Sequence, residues 1–444
     1  MIDAILRMNI VDSPFVGVVY TLGLGALLFL ALRRATRRWI ITGTAALLTG
    51  SVCAFLVLWF VNTTDQFGVG LGVGTTIWVY AVFSAICLAI ANLWRSRPTR
   101  KVVASASIVL FLLVGTVGIN ADFGLDRTVA DLVGVSTQKP LKLPVAADPT
   151  PAPTPTLLAG GALWANWKPP KDLPASGTTG TVVIPNTVSK FKSRPAGLYL
   201  PPAALVKNPP FLPLVVMLMG QPGNPDPSFQ APILNAYAAR HNGLAPIVLV
   251  VDQLGSPAGD PLCLDTAIYG KPETFLTVDA VNWARANLHV LQDPAHWTVA
   301  GYSNGGECAL SLGTKFPQIW GNVLDISGEQ YPGSSRSAQT LATVFGGNKA
   351  AYDAVKPLNL LGAHHYPDTV GIFTVGIFTV GSNDPRYMVQ AKAVTAATQA
   401  AGWATTYFEV PNGGHVLGAL NGGLQEGYKV LYPRLGLSDP ATAP

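Results

Sequence analysis

A chain of 444 residues has room for two or three domains, yet 49% of its residues are hydrophobic and only 12% charged. With a mean hydropathy of +0.35, that balance excludes a wholly soluble protein and places part of the chain in a membrane. The formal net charge is only +5, and much of it sits beside apolar segments, so there is no basic stripe for nucleic acid.

Four apolar segments of spanning length come first, at residues 15–32, 39–61, 69–93 and 102–119. Arg33, Arg34, Arg37 and Arg38 separate the first two, and Arg95, Arg97, Arg100 and Lys101 separate the last two, whereas the 62–65 loop has no basic residue. The positive-inside rule puts both basic loops in the cytoplasm, which predicts an extracytoplasmic N-terminus and an extracytoplasmic chain after the fourth span. Because the arginines follow the first apolar segment, a cleaved signal peptide fits poorly. The span interiors hold no Asp, Glu, Lys, Arg or His, so residues 1–121 read as a four-span anchor without an ion path. The glycine-rich start of the third span, 68–74, suits close helix packing, a lipid cleft or oligomerisation through the helices.

Residues 122–176 read as an extracytoplasmic connector. A short amphipathic helix is expected over 124–134, followed by a Pro- and Thr-rich stretch centred on 149–155 that is extended and semi-rigid. Trp164 and Trp167 either dock on the domain that follows or sit at the membrane interface.

From 177 to 436 strand and helix patterns alternate, which predicts an α/β fold with a mainly parallel sheet of about eight strands and helices on both faces. Strands are expected at 181–184, 196–200, 212–219, 246–251, 296–300, 323–326, 377–380 and 406–410, and helices at 273–288, 307–316, 388–401 and 417–432. Residues 437–444 form a tail.

The centre of this domain is Gly301-Tyr302-Ser303-Asn304-Gly305-Gly306. A short β-branched apolar strand enters it and a helical pattern leaves it, as a nucleophile elbow requires, and the flanking glycines permit the sharp turn that lifts a serine hydroxyl clear of the sheet. Ser303 is the predicted nucleophile. Together with Ala309-Leu310-Ser311-Leu312, Pro317, Gly321-Asn322-Val323 and Ser327-Gly328, this stretch resembles the esterase family of α/β-hydrolases that includes S-formylglutathione hydrolases, feruloyl esterases and mycolyltransferases. The resemblance covers about 195–432 and implies an α/β-hydrolase fold with a triad in chain order Ser, Asp or Glu, His.

Of the six histidines, five precede either Ser303 or the strand expected to carry the acid. That leaves His415, in a turn just after the last strand, as general base. Asp384, in Gly381-Ser382-Asn383-Asp384-Pro385, is the predicted acid that orients it; Glu409 and Asp368 are less well placed. The oxyanion donors are expected to be the backbone amides of Asn304 and of Gln221, the latter in a loop that departs from the His-Gly often found in related esterases.

Thr369-Val370-Gly371-Ile372-Phe373 repeats at once as Thr374-Val375-Gly376-Ile377-Phe378. The odd offset reverses which face each side chain meets, so one copy alone is expected in register, the second, because it leads to Asp384. Cys53 and Cys87 fall in spans, whereas Cys263 and Cys308 are in the exported domain and either bridge beside the elbow or stay as thiols. No ligand cluster suggests a metal, and no cofactor is called for.

These parts predict a membrane-anchored extracytoplasmic serine esterase acting on a lipid- or envelope-linked ester through an acyl-enzyme. The alternatives are a mycolyltransferase-like acyltransferase with the same triad and a non-catalytic envelope-binding module.

Overall fold

The computed structural model describes residues 2–64, 71–124, 126–143, 162–257, 259–366, 368–376, 385–411 and 417–441. The chain divides into two compact units, one ending at Thr137 and one beginning at Gln138.

The first unit is built from α1 (Pro14–Ala31), α2 (Arg37–Thr63), α3 (Val73–Leu93) and α4 (Pro98–Phe123). Each is long and apolar enough to cross a membrane. Prolines in the first turn start α1 and α4, where a missing amide costs nothing, and Gly124 at φ 69° ends α4. Leu22, Leu48, Phe55, Val102 and Val109 are among many large apolar side chains left exposed, a surface that suits lipid.

Polar contacts sit at the bundle ends. Asp122 accepts hydrogen bonds from the Thr75 amide at 2.8 Å and hydroxyl at 2.7 Å. It thereby caps α3 from a neighbouring helix, because the residue at that helix's own start, Gly72, has no side chain to do so. At the other end Arg100 donates to Asn92 at 2.7 Å and to the Phe29 carbonyl at 2.7 Å, and Arg33 donates to the Arg95 carbonyl at 3.1 Å. The two basic loops therefore lie side by side. The Ile10 amide donates to the Arg127 carbonyl at 3.0 Å and the Val129 amide to the Met8 carbonyl at 3.1 Å, so the N-terminal segment and the chain after α4 share one end of the bundle. That pairing also explains why the helix expected over 124–134 is a single turn, Val129–Leu132, closed by a Thr128–Asp131 capping box.

The second unit holds eight strands: β1 (Thr178–Val182), β2 (Ala196–Leu200), β3 (Leu214–Leu218), β4 (Ile247–Val250), β5 (Trp297–Tyr302), β6 (Asn322–Ile326), β7 (Val370–Gly376) and β8 (Ala404–Val410). They lie in the order β1-β2-β4-β3-β5-β6-β7-β8. β2 runs antiparallel to β1 and β4, and all other pairs are parallel. This is the α/β-hydrolase fold. The chain steps outward from β3 to β4 and then returns to place β5 on the other side of β3, so the topological switch point, where open α/β sheets carry their sites, lies between the ends of β3 and β5.

The main covering helices are α5 (Ala231–Arg240), α6 (Ala280–Asn287), α7 (Asn304–Lys315), α8 (Pro385–Ala400) and α9 (Leu417–Arg434). Glycines let two of them approach closely: Gly306 and Gly313 of α7 lie against Asp325 and Val323, whereas Gly423 and Gly427 of α9 lie against Ile326 and Leu324. Alternate strand residues point to opposite faces, so α7 and α9 cover opposite sides of β6. Every residue of β2 to β6 is consequently buried.

The helix expected over 273–288 runs from Pro272 to Asn287 with a π-helical turn at Phe275–Asp279. The widened turn coincides with Asp279, whose carboxylate takes the Val188 and Ser189 amides at 2.9 Å each. The structure corrects the expectation for the repeat. Its first copy is in the sheet, with Val370 level with Asn322 and Ala404, and β7 continues to Gly376; residues 377–384 lie outside the described residues. Val370, Ile372, Phe373 and Thr374 are all buried, so over 370–374 both faces of the strand are covered, and the reversal of faces that disfavoured one copy has no force there.

Parts of the connector and tail pack on the sheet domain. The Leu141 amide donates to the Thr181 carbonyl at 2.9 Å, the Trp167 indole donates to the Asn242 carbonyl at 2.9 Å, and Leu437 is fully buried.

Candidate active site

β5 ends at Tyr302, and Ser303 follows with φ 55° and ψ −118°. Few residues other than glycine occupy positive φ, and such strain persists only where the surroundings hold it. Here they do. The Ser303 amide donates to the Ile326 carbonyl of β6 at 2.8 Å, and the Ser303 carbonyl accepts from the amides of Gly306 at 2.8 Å and Glu307 at 3.1 Å. The turn is also closed sterically, since a Cβ on Gly301 would overlap the Gly305 carbonyl and one on Gly305 would overlap the Leu218 carbonyl. The first turn of α7 is thus pressed onto the ends of β3 and β5.

The loop after β3 passes beside the serine. A Cβ on Gly220 would lie 3.0 Å from the Tyr302 ring and 3.4 Å from Ser303 Cβ. The structure therefore brings together Ser303, Asn304 and the stretch Met219-Gly220-Gln221, the layout from which two backbone amides can face one oxygen. Gln221 is exposed there. Asp384 and His415 lie outside the described residues. Of the weaker acids, Asp368 pairs with Arg434 at 3.0 Å and Glu409 with Lys392 at 3.0 Å.

Cys263 and Cys308 form a disulfide with Cα atoms 5.6 Å apart. It fastens the loop after β4 to α7, five residues beyond Ser303. Leu262 and Cys263 both have positive φ, 60° and 49°, so the bond holds a loop that resists this shape. Closing a 45-residue separation constrains the unfolded chain by about 2–4 kcal/mol. The Cys263→Ser/Cys308→Ser double variant should lose about that much stability in denaturant unfolding.

Sequence reasoning missed the polar residues packed around the elbow. Asn304 Nδ2 donates to Asp260 at 2.9 Å, and Gln253, 1% exposed, reaches the Asn304 side chain at 3.3 Å. Glu307, in the first turn of α7, is buried and accepts from Ser311 at 2.5 Å; Asp325 on β6 accepts from the Gly328 amide at 2.8 Å. Burial pushes Glu307 well above the carboxylate range, lifts Asp260 and Glu329, and takes Asp325 up to about 7.

Asp325 gives a pH test. Its carboxyl is raised from an ordinary 3.8 to about 7 in the folded state, so the folded chain keeps a proton that the unfolded chain releases. Its contribution to stability is full below about pH 4 and is lost as pH rises toward 7. Asp325→Asn, neutral throughout, should match the native protein near pH 4 and exceed it by about 4 kcal/mol at pH 8, read by thermal or urea unfolding at both values.

No family model matches the chain. Among solved structures, an S-formylglutathione hydrolase from Agrobacterium tumefaciens covers 59% of this chain and 97% of its own at 16% identity, with a TM-score of 0.47. A ferulic acid esterase covers 58% and 97% at 15% identity and 0.46. The fluorophosphonate-binding serine hydrolase F of Staphylococcus aureus covers 60% and 100% at 11% identity and 0.44. None of these likenesses decides substrate or activity. An uncharacterised protein of Corynebacterium glutamicum is 30% identical over 425 residues, 92% of this chain and 93% of that protein. That span is too long to omit either unit, and the chain belongs to the same family as this corynebacterial protein.

Proposed function

We propose that the chain is a membrane-anchored serine hydrolase that cleaves a carboxylic ester through an acyl-enzyme on Ser303. The observation that carries this reading is the elbow: a serine at φ 55° between a buried strand and a helix, beside a loop that can supply a second oxyanion amide. In the reaction Ser303 Oγ attacks the ester carbonyl while His415 takes its proton, and Asp384 orients the imidazole. The backbone amides of Asn304 and Gln221 hold the oxyanion, and the alcohol leaves with the proton from His415. Asp384 and His415 follow β7 and β8, the two strands beyond β6, which supports their roles. Water then releases the acyl group; a sugar or lipid hydroxyl in its place makes the protein an acyltransferase.

The four apolar helices favour an ester carried by a lipid or another envelope molecule, since a soluble ester needs no anchored enzyme. With both basic loops in the cytoplasm, the N-terminus and the catalytic unit lie outside it, where the Cys263–Cys308 bond suits an oxidising compartment.

The test uses the full chain in lipid nanodiscs. A fluorophosphonate probe should label Ser303, and a short p-nitrophenyl ester should be hydrolysed. Lipid esters with and without a hydroxyl acceptor then divide free acid from transferred acyl product. Folded protein that neither labels nor hydrolyses would sink the reading and leave a non-catalytic envelope-binding module.

A further inference from the structure

The chain leaving β4 holds both loops that flank Ser303. Asp252 accepts from Arg194 Nη2 at 2.6 Å, and the same guanidinium donates to Asn224 at 2.7 Å, while the Gly223 amide donates to the Pro257 carbonyl at 3.1 Å. The next residue, Gln253, is buried, and its Nε2 donates to the Met219 carbonyl and to Asn304 Oδ1. One amide nitrogen carries two protons, and here each has its own acceptor, one on either side of the serine. The Asn304 amide is fixed the other way round by Asp260, which takes its Nδ2 at 2.9 Å. Turning the Asn304 amide over would set donor against donor at Gln253, and turning the Gln253 amide over would set acceptor against acceptor at Met219 and Asn304.

We infer that Gln253 is the positioning residue of the oxyanion hole, tying the loop after β3 to the first residue of α7 through a single side-chain amide. The inference rests on the reading of Ser303 as nucleophile. Its physical basis is the link between a carbonyl and the amides that follow it. Fixing the Met219 oxygen fixes the plane of the Met219–Gly220 peptide and limits where the Gln221 amide can point. Fixing the Asn304 side chain steadies the residue whose own amide is the other donor. Oxyanion stabilisation depends on donors that are already aimed when charge develops. Without the tie each donor samples other directions, and the loss falls on the transition state and spares the ground state.

Gln253→Met keeps the length and removes both donors. In nanodiscs, kcat per fluorophosphonate-labelled Ser303 should fall about 10- to 100-fold while KM changes by less than about 3-fold. A trifluoromethyl ketone forms a bond from Ser303 Oγ to its carbonyl carbon, passes the serine proton to His415 and leaves its oxygen as the bound oxyanion. Its affinity should weaken by the same factor as kcat. A merely structural role would instead lower Tm and the number of labelled sites while kcat per site stayed the same, and that result overturns the inference. Should the variant not fold, Asn304→Ala removes one acceptor and keeps the backbone donor. A several-fold loss of kcat per site is then expected, and no loss overturns the proposal. Native protein that labels and turns over keeps the reading of Ser303 intact whatever the variants do. Native protein that does neither removes that reading and this inference together.

Discussion

Ser303→Ala should lower ester hydrolysis by about 10⁴- to 10⁶-fold with little change in stability. In the proposed mechanism the hydroxyl is the group that forms the acyl-enzyme, and with it gone only binding and the oxyanion donors would remain, which retain roughly 10³-fold over water. Alanine meets the same φ of 55° and keeps the amide that bonds Ile326 and the carbonyl that accepts from Gly306 and Glu307. The fold should therefore stay within about 0.5 kcal/mol of the native protein. Hydrolysis of a p-nitrophenyl ester, probe labelling and thermal unfolding measured on one preparation check all three points. Residual activity above a hundredth of the native rate in a well-folded variant would mean that another residue attacks the ester.

How much of this could be read from the chain depends on how local each determinant is. The elbow was legible because its requirements fall within nine residues, 298–306: a β-branched entry strand, a serine and glycines where the backbones collide. The four long apolar helices were legible for a similar reason, since length and apolarity act segment by segment. Beyond them, the helix expected over 124–134 is shortened to the 4-residue turn Val129–Leu132 because the residues before it pair with the N-terminal segment, more than a hundred positions away. The first copy of the repeat was misplaced because register was argued from alternation, and a strand covered on both faces does not alternate.

Around the site, what was hidden is non-local. Glu307 looks like an ordinary helix-surface acid until Asp260, Asp325 and Glu329 fold around it. Gln253 is unremarkable in sequence until the sheet order sets the end of β4 beside β3 and so within reach of the elbow. Cys263 and Cys308 left bonded and free states equally open, because pairing depends on a loop whose course no local pattern fixes; the fold brings their Cα atoms to 5.6 Å. Local chemistry marked the turn at Ser303, and long-range topology supplied what holds it.

The close approach of α7 to β3 gives the largest expected effect on stability. At Gly305 an added Cβ would strike the Leu218 carbonyl and come within 2.8 Å of the Met219 carbonyl. Both are backbone groups, one in β3 and one leading into the loop after it, so neither can turn aside as a flexible side chain would. Relief requires α7 to lift from the sheet, which breaks the hydrogen bonds of Ser303 and leaves a gap in a close-packed core. Gly305→Ala should cost more than about 4 kcal/mol, in the range reserved for severe backbone or core faults, and any folded fraction should show slow probe labelling because Ser303 has moved from the Gly220 loop. Gly362→Ala is the control, since no atom lies within 4 Å of its added Cβ and its φ is not positive; it should change stability by less than about 0.5 kcal/mol. Chemical unfolding of the two variants beside the native protein decides the matter. A Gly305 variant as stable as the Gly362 one would mean that the first turn of α7 does not rest on β3, and the elbow geometry that carries the functional reading would fall with it.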